Sequence, residues 1–312
     1  MDLPKRLRIA TRESRLALAQ TDLVSAAIRA RHPAIAIEPV PMTTQGDRVL
    51  DRPLAEVGGK GLFVKELEVA LDAGRADIAV HSLKDVPMRI GAQFALATFG
   101  ARETPLDAFV SAHHASPEAL PAGAVVGTSS LRRECQLRHW LPHLDLKSLR
   151  GNVNTRLAKL DAGEYDAIIL AVAGLKRLGL EARIRATLPE SRALPAIGQG
   201  ALAIEYRRDR EDIGALLQGF EDPATAFAAR AERALGLVVE GSCDVPVGAL
   251  AQVRGASLVL EAFIGMPDGS RLVRERASGR KEDAEAIGTA LGERLLAAGG
   301  RQILLALTRQ TA

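Results

Sequence analysis

The side chains best suited to chemistry begin with a lysine beside an aspartate, Lys84 and Asp85, in the segment HSLKDVP (81–87). This segment follows an apolar stretch typical of a strand, so both side chains are expected at a strand end. A carboxylate in that position could stabilise a cationic intermediate or move a proton. The alternative is an aspartate that hydrogen-bonds its own turn. His81, at the end of the strand, is interpreted as structural.

Arginine recurs at three successive predicted strand ends, in the segments GTSSLRR (127–133), LRGNVNTR (149–156) and GLKR (174–177). Helix N-termini attract anions through free N–H groups and the helix dipole, and guanidinium groups bind carboxylates or phosphates with two parallel hydrogen bonds. A solvated surface would explain any one segment. Together they predict a ligand with several carboxylates or phosphates, because ligands bind at such strand ends.

Two further segments have candidate chemistry. Arg12 and Ser14 stand where the first predicted strand leads into a helix, which suits an anion, although Ser14 could simply cap the helix. Cys243 lies in the turn-rich segment VEGSCDVP (239–246) and is expected to be exposed, as a nucleophile, an attachment point or an unremarkable thiol. Cys135 falls inside a predicted helix and is expected to be packed.

Three other patterns predict no site. The glycines of GGKG (58–61) lack the spacing of a phosphate-binding loop, and GQGALA (198–203) precedes a strand instead of following one, so nucleotide binding is unsupported. Cys135, His139 and His143 are spaced like metal ligands on a helix. Pro142 interrupts that helix and no fourth ligand is evident, so no metal is expected.

The elements that must position these residues alternate as strands and helices. The first unit is predicted to have strands at 7–10, 35–40 and 77–81 and helices at 14–31 and 62–73. The second has strands at 108–111, 124–127, 145–149 and 166–172 and helices at 131–140 and 152–162. A smaller α+β unit follows, with strands at 247–253, 257–264 and 271–277 and a helix at 282–298. Predicted boundaries are 99–107, 188–196 and 219–223.

Composition excludes several classes of protein. The chain has 312 residues, 47% of them hydrophobic, and a formal net charge of +3, which is too apolar and too neutral for a disordered protein. Aromatic residues make up 3%, too few for nucleic-acid stacking platforms. The longest apolar run, 168–175, is far shorter than the roughly 20 residues of a membrane span. With no signal-peptide pattern and only two cysteines, a cytoplasmic protein that binds neither nucleic acid nor membrane is expected.

Six blocks in order identify a family resemblance: IATRES (9–14), GKGLF (59–63), HSLKDVP (81–87), GTSSLRR (127–133), LRGNVNTR (149–156) and LPAIGQG (194–200). Together they resemble the porphobilinogen deaminase, or hydroxymethylbilane synthase, family over nearly the whole chain. Two segments depart from the family pattern: Ser242 replaces a glycine before Cys243, and residues 102–107 are a variant of a more charged form.

The resemblance implies a fold of two periplasmic-binding-protein-like (type II) α/β domains joined by a two-stranded hinge, plus a small C-terminal α+β domain. The expected domains are 1–100 with 200–219, then 101–199, and then 220–312. The expected assembly is a monomer.

The resemblance also implies a transferase that joins four porphobilinogen molecules head to tail into linear hydroxymethylbilane, with release of four ammonia molecules. A dipyrromethane cofactor is expected as a thioether on Cys243, and porphobilinogen and oligopyrrole intermediates are the expected partners. Asp85 would stabilise the azafulvene cation formed from the substrate and handle protons. Lys60 would lie on a lid. The residues expected to bind cofactor and substrate are Arg12, Ser14, Ser82, Lys84, Thr128, Ser130, Arg132, Arg133, Arg150, Asn152, Arg156, Arg177 and Gln199.

Two other functions remain open from the residues alone. A non-catalytic two-lobed protein could close on a small anion, although the absent signal peptide and Cys243 count against it. A transferase acting on a phosphorylated substrate is also conceivable, because helix N-termini bind phosphate without a glycine-rich loop.

Overall fold

The computed structural model describes residues 3–48, 61–239 and 245–311, so the predictions for Lys60, Ser242 and Cys243 lie outside the described residues. Within these ranges there are two mixed five-stranded sheets and one antiparallel three-stranded sheet. The strands are β1 (Arg6–Arg12), β2 (Ala36–Met42), β3 (Ile78–Ser82), β4 (Phe94–Phe99), β5 (Asp107–Val110), β6 (Val125–Gly127), β7 (Asp145–Lys147), β8 (Ala167–Ala171), β9 (Ala186–Thr187), β10 (Leu202–Arg207), β11 (Val247–Arg254), β12 (Ser257–Gly265) and β13 (Leu272–Arg280).

Helices cover the sheets as the apolar periodicity requires. They are α1 (Arg15–Arg31), α2 (Gln45–Arg48), α3 (Lys65–Asp72), α4 (Leu131–Trp140), α5 (Val153–Asp161), α6 (Val172–Arg177), α7 (Glu211–Gln218), α8 (Pro223–Val238), α9 (Ala284–Leu295) and α10 (Arg301–Thr311). In the described ranges no helix combines the length and the apolar character needed to cross a bilayer.

The first sheet has the strand order β2-β1-β3-β10-β4, and we call it with its helices the first lobe. β1 is parallel to β2 and β3, whereas β10 runs antiparallel to β3 and β4. Fully buried Leu7 and Ile9 of β1 pack with Val24 and Ile28 of α1. The carboxyl ends of β1 and β3 therefore share one sheet edge, where Arg12 and Ser82 lie.

The second lobe has the strand order β7-β6-β8-β5-β9. β6 is parallel to β7 and β8, and β5 runs antiparallel to β8. Phe109, Val126 and Ile169 form part of its buried core. The carboxyl ends of β6, β7 and β8 thus share one edge, which brings the three arginine segments together. The predicted fold class of two α/β lobes and a small α+β unit is confirmed.

Two chain segments, 100–106 and 188–201, connect the lobes. The Glu103 N–H donates to the Gly200 carbonyl at 3.3 Å where the segments meet, but no regular strand ladder forms there. Prolines such as Pro105 and Pro195 remove N–H groups that a ladder would need. Gly200 has φ +91°, and a Cβ on it would lie 2.2 Å from the Glu103 carbonyl oxygen, so the close approach requires glycine. The exact domain limits stay a prediction.

The C-terminal unit packs α8 and α9 on the sheet β11-β12-β13. The prediction of one helix over 282–298 is wrong at its end: α9 stops at Leu295 and α10 follows after a bulge over Leu296–Gly300. Gly299, at φ +126°, breaks the helical geometry there, because an L side chain would be strained in that conformation. The sequence pattern also failed to predict β4, β9, α2, α6, α7 and α8.

Glu232 of α8 joins the C-terminal unit to both connecting segments. Its side chain is fully buried and accepts hydrogen bonds from Arg102 Nη1 at 2.6 Å, the Gly198 N–H at 2.7 Å and the Ala251 N–H at 2.8 Å. A buried carboxylate is tolerated only when it is paired in this way. This contact therefore fixes where the lobes meet β11.

Candidate functional site

A pocket opens at the strand-end edge of the first lobe and contains four of the predicted site residues. It is lined by Arg12, Ser14, Leu16, Ala17, Gln20, Phe63, Val80, His81, Ser82 and Asp85. Asp85 is the single carboxylate among these described lining residues. The pocket therefore offers a negative charge beside hydroxyl and amide groups.

Asp85 is positioned by a short 3-10 turn, Leu83–Asp85, that follows β3 directly. Leu83 is buried, and its N–H donates to the Ala201 carbonyl at 3.0 Å, which anchors the turn to the second connecting segment. The Ser82 hydroxyl accepts a hydrogen bond from Gln20 Nε2 at 2.7 Å. The anchored turn thus leaves the partly exposed Asp85 side chain at the pocket edge.

Arg12 and Ser14 are already engaged within the first lobe. Arg12 Nε donates to Asp47 at 3.0 Å, and its guanidinium carbon lies 4.2 Å from the centre of the Phe63 ring. Despite burial, hydrogen bonds from Arg12 and Thr44 hold the pKa of Asp47 below its usual range. The Ser14 hydroxyl accepts from the Ala17 N–H at 3.3 Å and caps α1, which is the alternative that the sequence left open.

In the second lobe, Arg132 and Arg133 occupy the first turn of α4, and their guanidinium groups are buried. Arg132 Nη2 lies 2.8 Å from one oxygen of Asp107, and Arg133 Nη2 donates to the other at 2.7 Å. Before them, Thr128 is buried and its hydroxyl accepts from the Ser130 N–H at 3.2 Å. Ser130 itself is only partly buried.

Asp107, at the start of β5, is a functional residue that the sequence reasoning missed. It is almost fully buried, and despite that burial the two guanidinium groups hold its pKa below the usual range. A carboxylate that opens an otherwise apolar strand, Asp107–Val110, is the signal that could have indicated a buried charge partner. Asp107 fixes the directions in which Arg132 and Arg133 can donate.

Gln199 connects Asp107 to the first lobe. Its amide nitrogen donates to Asp107 at 2.9 Å, and its amide oxygen accepts from Lys84 Nζ at 3.3 Å. Burial lowers the pKa of Lys84 to about 8, with Asp85 acting against the shift and Arg133 adding to it. Two predicted binding residues, Lys84 and Gln199, therefore lie on one continuous polar chain between the lobes.

Asn152 and Arg156 stand at the N-terminus of α5. The Asn152 side chain accepts from the Thr155 N–H at 3.0 Å and caps the helix. Arg156 Nε donates to the Gly151 carbonyl at 2.8 Å. Burial, with the like charges of Arg133 and Arg150, lowers the pKa of Arg156 to about 10, while Asp85 acts in the opposite direction.

Arg177 is placed differently from the prediction. The segment 174–177 was expected at a strand end, but β8 stops at Ala171 and Arg177 occupies the last turn of α6. Its Nη2 donates to the Gly200 carbonyl at 2.6 Å, and burial lowers its pKa. The predicted end of the strand at residue 172 was right to within one residue, but the pattern did not predict α6, whose apolar residues continue that of β8.

The assembled cleft has an excess of buried positive charge. Burial also lowers the pKa values of Arg132 and Arg150. Arg132 Nε and Arg133 Nε are buried donors without a hydrogen bond inside the described ranges, so the cluster retains binding capacity. A ligand with several carboxylates would balance the excess positive charge. Over the same ranges, no group of histidine, cysteine and acidic residues is arranged to hold a metal ion.

Cys135 contributes nothing to this cleft. It is fully buried and packs with Leu194, Leu250 and Phe263. Burial raises the pKa of its thiol to about 12, which makes it unreactive.

Comparison with known families gives two matches along the chain. Residues 7–215 match the model described as "Porphobilinogen deaminase, dipyromethane cofactor binding domain". Residues 226–297 match "Porphobilinogen deaminase, C-terminal domain".

Among solved structures, one similar chain is the periplasmic VFT2 domain of BvgS from Bordetella pertussis. It is 15% identical, the match covers 68% of this chain and 85% of that chain, and the TM-score is 0.42. Another is the periplasmic aliphatic sulphonate binding protein SsuA from Escherichia coli, with 15% identity, coverage of 77% and 72%, and a TM-score of 0.41. At these scores the likeness carries no argument about function, so the alternative of a non-catalytic anion-binding protein gains no support from it.

Proposed function

The chain belongs to the porphobilinogen deaminase family and has hydroxymethylbilane synthase function in tetrapyrrole biosynthesis, and we propose that the cleft between its lobes is the reaction site. In this site four porphobilinogen molecules are condensed head to tail, with release of four ammonia molecules. The observation that carries the assignment of the site is the chain of contacts Lys84–Gln199–Asp107, which connects the turn that carries Asp85 to the buried guanidinium groups of the second lobe.

The residues of the cleft fit a dipyrromethane cofactor, which carries a carboxylate on each of its acetate and propionate side chains. Guanidinium groups are suited to such carboxylates because their charge persists and they bind bidentately. Arg132, Arg133, Arg150, Arg156 and Arg177 would hold these groups together with Lys84. When bound, the cofactor supplies the carbon to which the pyrrole chain is added. We assign its thioether attachment to Cys243.

Asp85 is the residue that we assign to the chemistry. As the carboxylate at the pocket, it stabilises positive charge that develops on the substrate when ammonia leaves, and it accepts the proton released when the new carbon–carbon bond forms. Ser82 and the capping hydroxyl of Ser14 shape the same pocket. Arg12, Thr128, Ser130, Asn152 and Gln199 complete the proposed binding set.

Intact-protein mass spectrometry tests the cofactor assignment on chain produced in cells that make porphobilinogen. The wild type should carry the mass of two pyrrole units, Cys243→Ser should lose it, and Cys135→Ser should keep it, because Cys135 is buried away from the cleft. An unmodified wild type, or an adduct that survives in Cys243→Ser, would contradict the assignment.

Two further expectations accompany this proposal. We expect a monomer that handles porphobilinogen and oligopyrrole intermediates without nucleic acid. We expect the domains to divide at about residues 100, 200 and 220. Size-exclusion chromatography with light scattering checks the first, and limited proteolysis that releases the C-terminal unit checks the last boundary.

A further inference from the structure

His81 lies between the Asp85 pocket and a buried acidic pair that the proposed chemistry has not used. Its side chain is 3% exposed and lines the pocket together with Asp85 and Ser82. On the other side, His81 Nε2 lies 3.0 Å from an oxygen of Glu205. Glu205 belongs to β10, which is the antiparallel neighbour of β3, and its side chain is completely buried.

Glu205 has a second oxygen, Oε1, that is buried and makes no hydrogen bond to any group in the described ranges. A buried carboxylate oxygen without a partner is costly, so it requires a proton or a water molecule. Glu68 of α3 supplies the first: it faces Glu205, and burial with the charge of Glu205 raises the pKa of Glu68 to about 7. Near neutral pH Glu68 therefore alternates between its protonated and ionised forms.

The other charged groups around this set are few. Asp72, one turn along α3, adds negative charge beside Glu68. Arg233 of α8 faces Glu205; its Nη2 donates to the Pro87 and Met88 carbonyls, and its buried Nη1 makes no hydrogen bond in the described ranges. Glu68 is partly exposed, which gives the set contact with solvent.

We propose that His81, Glu205 and Glu68 form a proton path that connects the Asp85 pocket to the surface of α3. A purely structural role, joining β3 to β10, would need only the His81–Glu205 hydrogen bond. That role does not require Glu68 beside the unpaired Oε1 of Glu205. Nor does it require that Glu68 reach solvent. This proposal rests on the assignment of Asp85 to the reaction site.

The path meets a requirement of the reaction. At each condensation the C–N bond of porphobilinogen breaks with its electron pair on nitrogen, the free ring carbon of the growing chain forms a C–C bond to the methylene carbon, and the C–H electron pair of that attacking ring carbon returns to its ring. The proton from that C–H bond goes to Asp85, and the departing ammonia takes up a proton in solvent. One proton must therefore leave the pocket at every condensation.

Each transfer frees the group before it, except that His81 is left with its proton on Nδ1 and regains its starting tautomer by a half-turn of the ring before the next condensation. Through a pocket water, the Asp85 carboxyl gives its proton to His81 Nδ1, and His81 gives the proton on Nε2 to Glu205. Glu205 passes it to ionised Glu68, and Glu68 releases it to solvent. Asp85 then returns to the carboxylate that the next condensation needs.

Exchange of the His81 ring N–H with water tests the path independently of turnover. It is measured by nitrogen-15 NMR on the whole protein at pH 7 to 8. Glu68→Gln should slow this exchange at least tenfold, because the outer proton acceptor is lost. Glu211→Gln, an exposed glutamate of α7 in the same lobe, is the matched control and should exchange like the wild type. Unchanged exchange in Glu68→Gln would overturn the proposal.

His81→Asn provides a second readout, since an amide can still donate to Glu205 but cannot relay a proton. We expect kcat to fall about tenfold with KM unchanged, and added imidazole to restore part of the loss. A variant with wild-type kcat, or a loss that imidazole leaves untouched, would overturn the path. If the wild type makes hydroxymethylbilane and Asp85→Asn does not, the proposed function stands whatever these variants show.

Discussion

The two lobes present opposite electrostatic arrangements to the cleft. In the first lobe, the charge of Arg12 is paired with Asp47, and the pocket presents one carboxylate, Asp85, among hydroxyl and amide groups. In the second lobe, Arg132 and Arg133 share a single counter-charge, Asp107, and Arg156 makes no salt bridge in the described ranges. The cation that the first lobe adds to the site is Lys84, which is directed toward the second lobe through Gln199, whereas the second lobe has several cations.

This difference separates two tasks. A site that stabilises a developing cation must not place free cations next to the reacting carbon, because like charges would repel. A site that holds a polyanion needs an excess of cations, and burial makes each contact stronger. Placing the tasks on different lobes satisfies both, while the chain Lys84–Gln199–Asp107 keeps the two sets of side chains in fixed relation.

The largest effect is expected for Asp85→Asn, which removes the one pocket carboxylate of the first lobe and keeps its size. We expect kcat to fall about 10⁴-fold, because charge stabilisation and proton transfer are lost together. Binding should change little, since the second lobe holds the ligand. Single-turnover kinetics measure the first effect and intact-protein mass spectrometry after substrate loading measures the second. A variant that retains most of its turnover would remove Asp85 from the chemistry.

The next largest effect is expected for Asp107→Asn in the second lobe. It leaves two buried guanidinium groups without their counter-charge, and breaking a buried pair in this way costs about 3–5 kcal/mol. Urea unfolding measures the change in the free energy of unfolding. Asp145→Asn is the control: its pair with Lys147 is exposed, so we expect a change under about 0.5 kcal/mol. Equal losses in both variants would show that Asp107 is no more important than a surface acid.

The sequence located the cations of the cleft but not the acids that organise them. Strand ends could be predicted from apolar periodicity. The segments that follow the ends of β6 and β7 contain Arg132, Arg150 and Arg156, as that pattern predicted. Asp107 and Glu205 each sit in a strand beside apolar neighbours, and local sequence does not reveal which distant arginine or histidine will be packed against them. Their role depends on strand pairing across the sheet, between residues 124 positions apart in the case of Glu205 and His81.

A smaller effect should distinguish the arginines of the two lobes. Arg156→Lys keeps the charge but loses the bidentate fork, so we expect KM to rise about tenfold, or about 1.4 kcal/mol. Arg12→Lys should raise KM only about twofold, because Asp47 already occupies its guanidinium group. Steady-state kinetics on both variants give the comparison. A larger increase for Arg12→Lys would reverse the division of tasks between the lobes.

The smallest effect concerns the pH dependence of stability in the first lobe. The pKa of Glu68 is raised to about 7 in the folded protein from an ordinary value of 4.5, chiefly by burial and then by Glu205. The folded state therefore binds this proton more tightly than the unfolded state. The contribution of Glu68 to the free energy of unfolding is fully present below pH 4.5 and is lost as the pH rises through about 7.

The glutamine in the Glu68→Gln variant cannot ionise, so this variant should not lose this contribution to stability as the pH rises. Because Glu68 is partly exposed, solvent screening limits the difference to about 1 kcal/mol, or roughly 2 °C in Tm, in favour of the variant at pH 8. At pH 4 the two proteins should melt together. Thermal unfolding from pH 4 to 8 measures the difference, with Glu211→Gln as the exposed control that should follow the wild type throughout. Parallel curves for wild type and Glu68→Gln would show that Glu68 ionises as an ordinary surface acid.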